Sequence, residues 1–130
     1  MTPEEVVDEF IARVVRVDLD AALELVTPDI EYDNVPMGKV FGPDGIKSIL
    51  GPMIEGLDEV EFAIVRQVAA GNIVMNERVD RFRVGDQWID LPVAGVFEVN
   101  DEGLITLWRD FFDQPTLMDR LAEVMAPPAE

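Results

Sequence analysis

The 130-residue sequence contains no cysteine and no histidine. Without cysteine the chain has no disulfide, no thiolate nucleophile and no cysteine-based metal site. Without histidine it lacks the side chain that most often serves as general base and as metal ligand. Acid–base catalysis must therefore use Asp, Glu, Tyr or Lys, and a zinc site would have only oxygen ligands, which is unusual for that metal.

Positive charge is also scarce, because 10 Lys and Arg residues stand against 27 Asp and Glu, for a formal net charge of −17. Such a surface repels nucleic acid and anionic lipid, and it disfavours an anionic substrate over a neutral small molecule. No apolar run approaches the roughly 20 residues of a membrane span, and no secretory signal pattern is found. We expect a cytoplasmic protein that binds neither nucleic acid nor membrane.

The composition is typical of a single folded domain. Hydrophobic residues make up 48% of the 130 residues, and this length matches the usual size of one domain. We expect one domain over residues 1–125. The final segment, 126–130, reads Ala-Pro-Pro-Ala-Glu and is predicted to be a flexible tail.

Helical signals begin at the N-terminus. Thr2 and Glu5 form a capping box, with Pro3 at the first helical position. Apolar residues then recur at helical spacing, and the same spacing returns in three later segments. Helices are predicted over about 3–17, 18–26, 46–53 and 117–124.

Strand signals dominate the second half of the chain. Glycine-containing turns separate β-rich segments, and the strands are predicted at 30–35, 60–69, 73–84, 87–99 and 104–113. Helices followed by an antiparallel meander predict an α+β fold. Pro92 and Gly95 inside one long strand favour bulges and bends. We therefore expect a strongly curved, mostly antiparallel sheet with helices packed on its concave side, forming a cone with one deep pocket.

Polar residues in these strands fall on particular faces, because side chains alternate along a strand. The residues that share a face are Asn76, Arg78, Asp80 and Phe82 on one strand, Trp108, Asp110 and Phe112 on another, and Tyr32 with Asn34 on the first. A face with both carboxylates and large aromatic rings favours an interior pocket, since a solvated face does not need the rings. An ordinary core does not need the carboxylates, because unpaired buried charge costs several kcal/mol.

Arg78 is the natural counter-ion for Asp80 and Asp110, because one guanidinium can fork to two carboxylates. Such a carboxylate pair can also serve as acid and base, since a neighbouring like charge raises one pKa. From spacing alone, a structural ion-pair network is the more favoured interpretation. Taken singly, Tyr32 is more typical of a core residue and Asn34 of a turn.

Four segments change this balance when they are considered together: Tyr32-Asp33-Asn34, Asn76-Glu77-Arg78-Val79-Asp80, Gly95-Val96-Phe97 and Trp108-Arg109-Asp110-Phe111-Phe112-Asp113. In combination they resemble the limonene-1,2-epoxide hydrolase family, whose cone-shaped fold is shared with nuclear transport factor 2 and ketosteroid isomerase. The resemblance covers nearly the whole chain, in the same order and at similar separations.

The resemblance implies an enzyme that converts an epoxide to a vicinal diol in one step, with neither cofactor nor metal. Asp110 then corresponds to the general base, and Tyr32 and Asn34 to the residues that hold the attacking water. Asp80 corresponds to the general acid that protonates the epoxide oxygen, and Arg78 to the bridge between the two acids. The resemblance also implies a homodimer formed through the outer face of the sheet.

A small lipophilic epoxide and water are the expected substrates, because the residues expected to bind substrate are apolar: Leu50, Met53, Phe82, Leu91, Val93, Trp108 and Phe112. Val79, Val96 and Phe111 make the predicted outer face apolar, in agreement with a homodimer.

Two alternatives stay open, because fold alone does not determine function. One is a ketosteroid-isomerase-like or polyketide-cyclase-like enzyme that uses Tyr32, Asp80 and Asp110 for proton transfer, although such chemistry does not need a bridging arginine. The other is a non-catalytic small-molecule binding protein.

Overall fold

The computed structural model describes residues 1–125, so the tail expected at 126–130 lies outside the described residues. Helices and strands follow one another in the order α1 (Pro3–Val15), α2 (Leu19–Leu23), β1 (Val26–Val35), β2 (Gly38–Phe41), α3 (Gly42–Glu55), β3 (Glu59–Ala70), β4 (Ile73–Val84), β5 (Gln87–Val99), β6 (Ile105–Phe111) and α4 (Gln114–Met125). Over residues 1–125, no helix has both the length and the apolar character needed to cross a bilayer.

The strands form one six-stranded sheet in the order β2-β1-β6-β5-β4-β3. All neighbours are antiparallel except β1 and β6, which run parallel. A register shift between Ile64 and Arg66 marks a bulge in β3, and a shift opposite Glu98 and Val99 leaves the extra residue Thr106 in β6. Such bulges bend a strand. The sheet is curved and unclosed. The predicted α+β class with a curved, mostly antiparallel sheet is confirmed.

The helices cover the concave side of the sheet. In α1 the capping box forms as predicted, because the Thr2 hydroxyl accepts from the backbone N–H of Glu5 at 3.2 Å and the Glu5 carboxylate accepts from the Thr2 backbone at 2.8 Å. The apolar face of α1 is fully buried against β3, β4 and β5, and each large apolar side chain buried this way stabilises the fold by about 1.5–3 kcal/mol. Helix α3 packs on β1, and α4 packs on β5.

One local prediction is wrong, and one strand was not predicted. Helical spacing places Val26 in the second helix, but that helix ends at Leu23 and Val26 begins β1, where it pairs with Ile105. Burial of Val26 in the core and the hydrogen bond from the Thr27 hydroxyl to the Ile105 carbonyl oxygen (3.4 Å) favour the strand over local helical spacing. Strand β2 was not predicted, because its four residues are too few and too exposed to show alternation.

Candidate active site

Four neighbouring strands contribute one row of residues to the concave face of the sheet. Asn34 of β1 is paired with Asp110 of β6, Asp110 with Gly95 of β5, and Gly95 with Asn76 of β4. Asn76 and Asp110 are buried, and Arg78, two residues after Asn76, is buried on the same face. The register of the sheet therefore gathers polar groups from distant parts of the chain inside an apolar core.

The guanidinium of Arg78 joins two carboxylates. Its Nε donates to Oδ1 of Asp80 and its Nη2 to Oδ2 of Asp80, both at 3.0 Å. Nη2 also donates to Oδ2 of Asp110 at 2.9 Å, and Nη1 donates to Oδ1 of Asn76 at 2.9 Å. Asp80 is thus held by a forked pair and Asp110 by a single bond, so one guanidinium holds the two acids in a defined relation.

All three charges are withdrawn from solvent. The side chains of Arg78, Asp80 and Asp110 are 0%, 6% and 7% exposed. Burying an ion costs several kcal/mol, which close pairing and hydrogen bonds must offset. The ring of Phe62 lies 5.2 Å from the guanidinium carbon and adds a cation–π contact. Two carboxylates against one guanidinium leave an excess negative charge when both acids are ionised.

Burial and the neighbouring charges shift the pKa values of Asp80, Arg78 and Tyr32. Burial raises the pKa of Asp80 to about 6, while the hydrogen bonds and charge of Arg78 oppose the rise and the charge of Asp110 adds to it. Burial acts to lower the pKa of Arg78, but Asp110 and Asp80 more than offset it and the pKa is raised. Burial, and then the charge of Asp110, raise the pKa of Tyr32 well above its usual range. Arg78 is therefore charged and Tyr32 is a neutral phenol near neutral pH.

The indole of Trp108 holds Asp110 from a second side. Its Nε1 donates to Oδ1 of Asp110 at 2.9 Å, so each oxygen of this carboxylate accepts one hydrogen bond. The indole is itself packed, with its centroid 4.2 Å from the stacked ring of Tyr32 and 5.1 Å from the edge-on ring of Phe10. A carboxylate oxygen has two lone-pair sites, so each oxygen of Asp110 can still accept a hydrogen bond from water.

A cavity of about 460 Å³ opens beside these groups, a volume that suits a small organic ligand. Its polar lining consists of Tyr32, Asn34, Lys39, Asp80 and Asp110, whereas Arg78 lies behind the two carboxylates and does not line the cavity. Most of the remaining lining is apolar, and it includes all the residues expected to bind substrate, namely Leu50, Met53, Phe82, Leu91, Val93, Trp108 and Phe112.

Some residues around the cavity were missed by sequence reasoning. Phe62 of β3 borders both the cavity and Arg78, and the alternation of Val60 and Phe62 along that strand was the available signal. Leu117 and Leu121 of α4 also border the cavity. A helical pattern predicts that these leucines, which are partly buried in the structure, face the interior, but it does not show which strand or cavity they contact.

The arrangement offers two carboxylates in different surroundings. Asp80, whose pKa is raised, can carry a proton and deliver it, while Asp110, next to Asn34 in the sheet, can accept one from water. In the part of the chain that the structure describes, no cluster of three or more His, Cys, Asp or Glu side chains is placed to hold a metal ion.

Comparison with known proteins identifies the family of this chain. The family model of the limonene-1,2-epoxide hydrolase catalytic domain matches residues 1–123. Epoxide hydrolase EphG of Mycobacterium tuberculosis is 36% identical over 107 residues, which are 82% of this chain and 70% of that protein. The chain therefore belongs to the limonene-1,2-epoxide hydrolase family.

Solved structures agree with this assignment. The structure of an epoxide hydrolase from M. tuberculosis that resembles limonene-1,2-epoxide hydrolase has a TM-score of 0.77 with this chain at 31% identity, and 95% of each chain is covered. A SnoaL-like protein of the polyketide-cyclase type from Shewanella denitrificans has a TM-score of 0.80 at only 18% identity, covering 93% of this chain and 97% of its own. This second match shows a shared fold and carries no argument about activity.

Proposed function

We propose that this protein hydrolyses a lipophilic epoxide to a vicinal diol in one step, with water as the nucleophile and with neither cofactor nor metal. The observation that carries the proposal is the pair of carboxylates, Asp80 and Asp110, bridged by one buried guanidinium at the wall of a mostly apolar cavity. Epoxide opening needs a nucleophile at carbon and a proton at the leaving oxygen, and two such groups supply both.

In this proposal Asp110 is the general base and Asp80 the general acid. Asp110 takes a proton from a water molecule that Tyr32 and Asn34 also hold, and the water oxygen forms a bond to an epoxide carbon. The bond from that carbon to the ring oxygen breaks, and the oxygen takes the proton of Asp80. Exchange with solvent then returns a proton to Asp80 and removes one from Asp110.

The apolar lining supports a neutral, lipophilic substrate. Phe82, Leu91 and Val93 from the sheet and Leu50 and Met53 from α3 present hydrocarbon to the cavity, so an apolar body gains free energy by leaving water. The strain of the three-membered ring supplies driving force, which is why the proposed reaction needs no metal or cofactor.

We also propose that the protein forms a cytoplasmic homodimer through the outer face of the sheet. This face carries apolar side chains that are partly or largely exposed in the single chain, including Val68, Met75, Val96 and Phe111. Exposed apolar surface of this kind is typical of an interface. Sedimentation of the purified protein measures this state directly.

Isotope labelling in a single turnover tests the reaction and its one-step course. With enzyme in excess over an epoxide in ¹⁸O-labelled water, we expect the label to enter the diol directly. Terpene, styrene, fatty-acid and sterol epoxides are suitable probes. Label in an Asp side chain with unlabelled diol would contradict the one-step mechanism. No diol from any epoxide, with wash-out of an acidic C–H of a ketone into D₂O, would favour the isomerase-like alternative instead.

The pH profile tests the role of Asp80. A general acid must carry its proton, and the pKa of Asp80 is raised to about 6. We therefore expect kcat/KM to fall as the pH rises above about 6, by about tenfold per unit, because this ratio reports the ionisation of the free enzyme. Rates measured between pH 5 and 8, corrected for spontaneous hydrolysis of the epoxide, show whether kcat/KM falls in this way. A profile that rises through the same range would contradict the assignment of Asp80 as the acid.

A further inference from the structure

One position in the polar row has no side chain. In the sheet, Gly95 lies between Asp110 of β6 and Asn76 of β4. The guanidinium of Arg78 occupies the space above Gly95, because a Cβ at this position would lie 2.8 Å from Oδ1 of Asn76, 2.9 Å from Oδ1 of Asp110 and closer still to Nη1 of Arg78.

The backbone does not explain why glycine stands here. Glycine is the default residue where φ is positive, but the φ of Gly95 lies outside that region, unlike the φ of Gly71 or Gly85. Glycine in the interior of a strand also weakens the strand. The requirement is therefore for space, and the group that occupies the space is the guanidinium.

We propose that Gly95 is a positioning residue for the reaction. Because it has no side chain, it leaves a slot for the guanidinium of Arg78, which can then hold Asp80 and Asp110 together. Asn76 forms the other wall of this slot, with its Oδ1 accepting from Nη1 of Arg78. The orientation of the Asn76 amide is determined in turn by Gln67 of β3, since Nδ2 of Asn76 donates to Oε1 of Gln67 at 3.0 Å.

A long side chain can often move away from a new methyl group, but Arg78 has little freedom to do so. Its side chain is fully buried, and its Nε, Nη1 and Nη2 all donate to fixed acceptors on Asp80, Asn76 and Asp110. Any retreat from position 95 lengthens or breaks at least one of these bonds. Asp80 and Asp110 are then no longer held together by the hydrogen bonds of one guanidinium. A misplacement of about 1 Å in an active site can lower the rate about 100-fold.

Gly95→Ala tests the slot, and the test rests on the proposed function only where it measures activity. We expect kcat on an epoxide to fall about 100-fold while KM changes less than about threefold, because the apolar lining is untouched. We also expect the pKa of Asp80, followed by carboxyl ¹³C NMR, to rise by about one unit or more as Arg78 moves away. Gly51→Ala is the matched control, because a Cβ at Gly51 has nothing within 4 Å, and both quantities should stay unchanged.

The two readouts separate failure of the slot from failure of the proposed function. A wild-type protein without epoxide hydrolase activity, whose Asp80 still titrates higher after Gly95→Ala, would overturn the proposed function and support the slot. If folded Gly95→Ala has an unchanged kcat and an unchanged pKa of Asp80, the proposed positioning role of Gly95 is wrong. If Gly95→Ala fails to fold, Asn76→Ala tests the proposal instead, because this substitution removes atoms from the wall of the slot and adds none. Loss of one hydrogen bond to a charged group predicts a fall in kcat of about tenfold, and no change in kcat or in the pKa of Asp80 would overturn the proposal.

Discussion

Asp110→Asn is expected to lower kcat by about 10²–10⁴-fold, which is the usual contribution of a general base. Asparagine matches the carboxylate in shape but cannot take a proton from water. Its side-chain oxygen can still accept the hydrogen bond that Trp108 donates to Oδ1. The measurement is the rate of diol formation from a lipophilic epoxide under saturating substrate, with the background rate subtracted.

The substitution should not unfold the protein. Asp80, Asp110 and Arg78 together carry one excess negative charge when both acids are ionised, and Asp110→Asn leaves one carboxylate paired with one guanidinium. Asparagine has one acceptor oxygen for the two hydrogen bonds that Arg78 and Trp108 donate to Asp110, so the loss of one bond offsets part of this gain. We therefore expect a folded variant with thermal stability close to that of the wild type, so that lost activity reflects lost chemistry. Asp90→Asn is the matched control, because Asp90 makes an exposed ion pair with Arg81 on the outer face and should leave kcat unchanged. An Asp110→Asn variant as active as the wild type would refute the proposed role of Asp110.

Much of this site is predictable from local sequence patterns. Alternation along β4 puts Arg78 and Asp80 on one face, and alternation along β6 does the same for Trp108 and Asp110. Both faces turn to the interior in the structure. Period-two alternation is a property of a single strand, so it can be deduced without knowledge of the neighbouring strands.

Sequence patterns do not show which residues meet across strands. The row from Asn34 through Asp110 and Gly95 to Asn76 depends on the register of four strands, and register depends on turns, bulges and the fit of the whole core. The special position of Gly95 is for this reason invisible in the sequence. Strand β2 is equally hidden, because its exposed residues form a strand only through pairing with β1.

Trp108 shows how a predicted role can be incomplete. The sequence suggests an aromatic wall for the substrate, and Trp108 does border the cavity. Its side chain is nevertheless almost completely buried among Tyr32, Phe10 and Phe97, and its indole N–H donates to Asp110. Spacing shows that Trp108 and Asp110 share a face, but the hydrogen bond between them depends on the side-chain rotamers that this packing selects.

Arg78→Gln is expected to destabilise the fold by about 3–5 kcal/mol near neutral pH, since removal of one partner from a buried ion pair leaves uncompensated charge. Asp80 and Asp110 then lie together in the core without a cation. A loss of this size is a large part of the total stability of a small domain. Urea unfolding at pH 8 measures the free energy. The matched control is Arg81→Gln on the same strand, because Arg81 also pairs with two carboxylates, those of Glu61 and Asp90, on the outer face. About 0.2–1 kcal/mol per pair is expected there.

The loss of unfolding free energy caused by Arg78→Gln should be smaller at acidic pH. The pKa of Asp80 is already raised from 3.8 to about 6 in the folded protein, and loss of Arg78 raises it further. An acid whose folded pKa lies above its unfolded value stabilises the fold below the unfolded pKa, and this stability is lost as the pH rises through the folded pKa. The variant should therefore be closer to the wild type at pH 5 than at pH 8.

Removal of all three charges shows whether Arg78→Gln loses stability through unpaired charge or through lost packing. The triple variant Asp80→Asn, Arg78→Gln, Asp110→Asn replaces each ion by a neutral amide, and replacement of a whole buried ion network is often neutral for stability. We expect it to recover most of the free energy that Arg78→Gln alone loses, while catalysing no diol formation. If the triple variant were as unstable as Arg78→Gln at every pH, the role of Arg78 in the fold would be its packing against Phe62, and neutralisation of the two acids would contribute little.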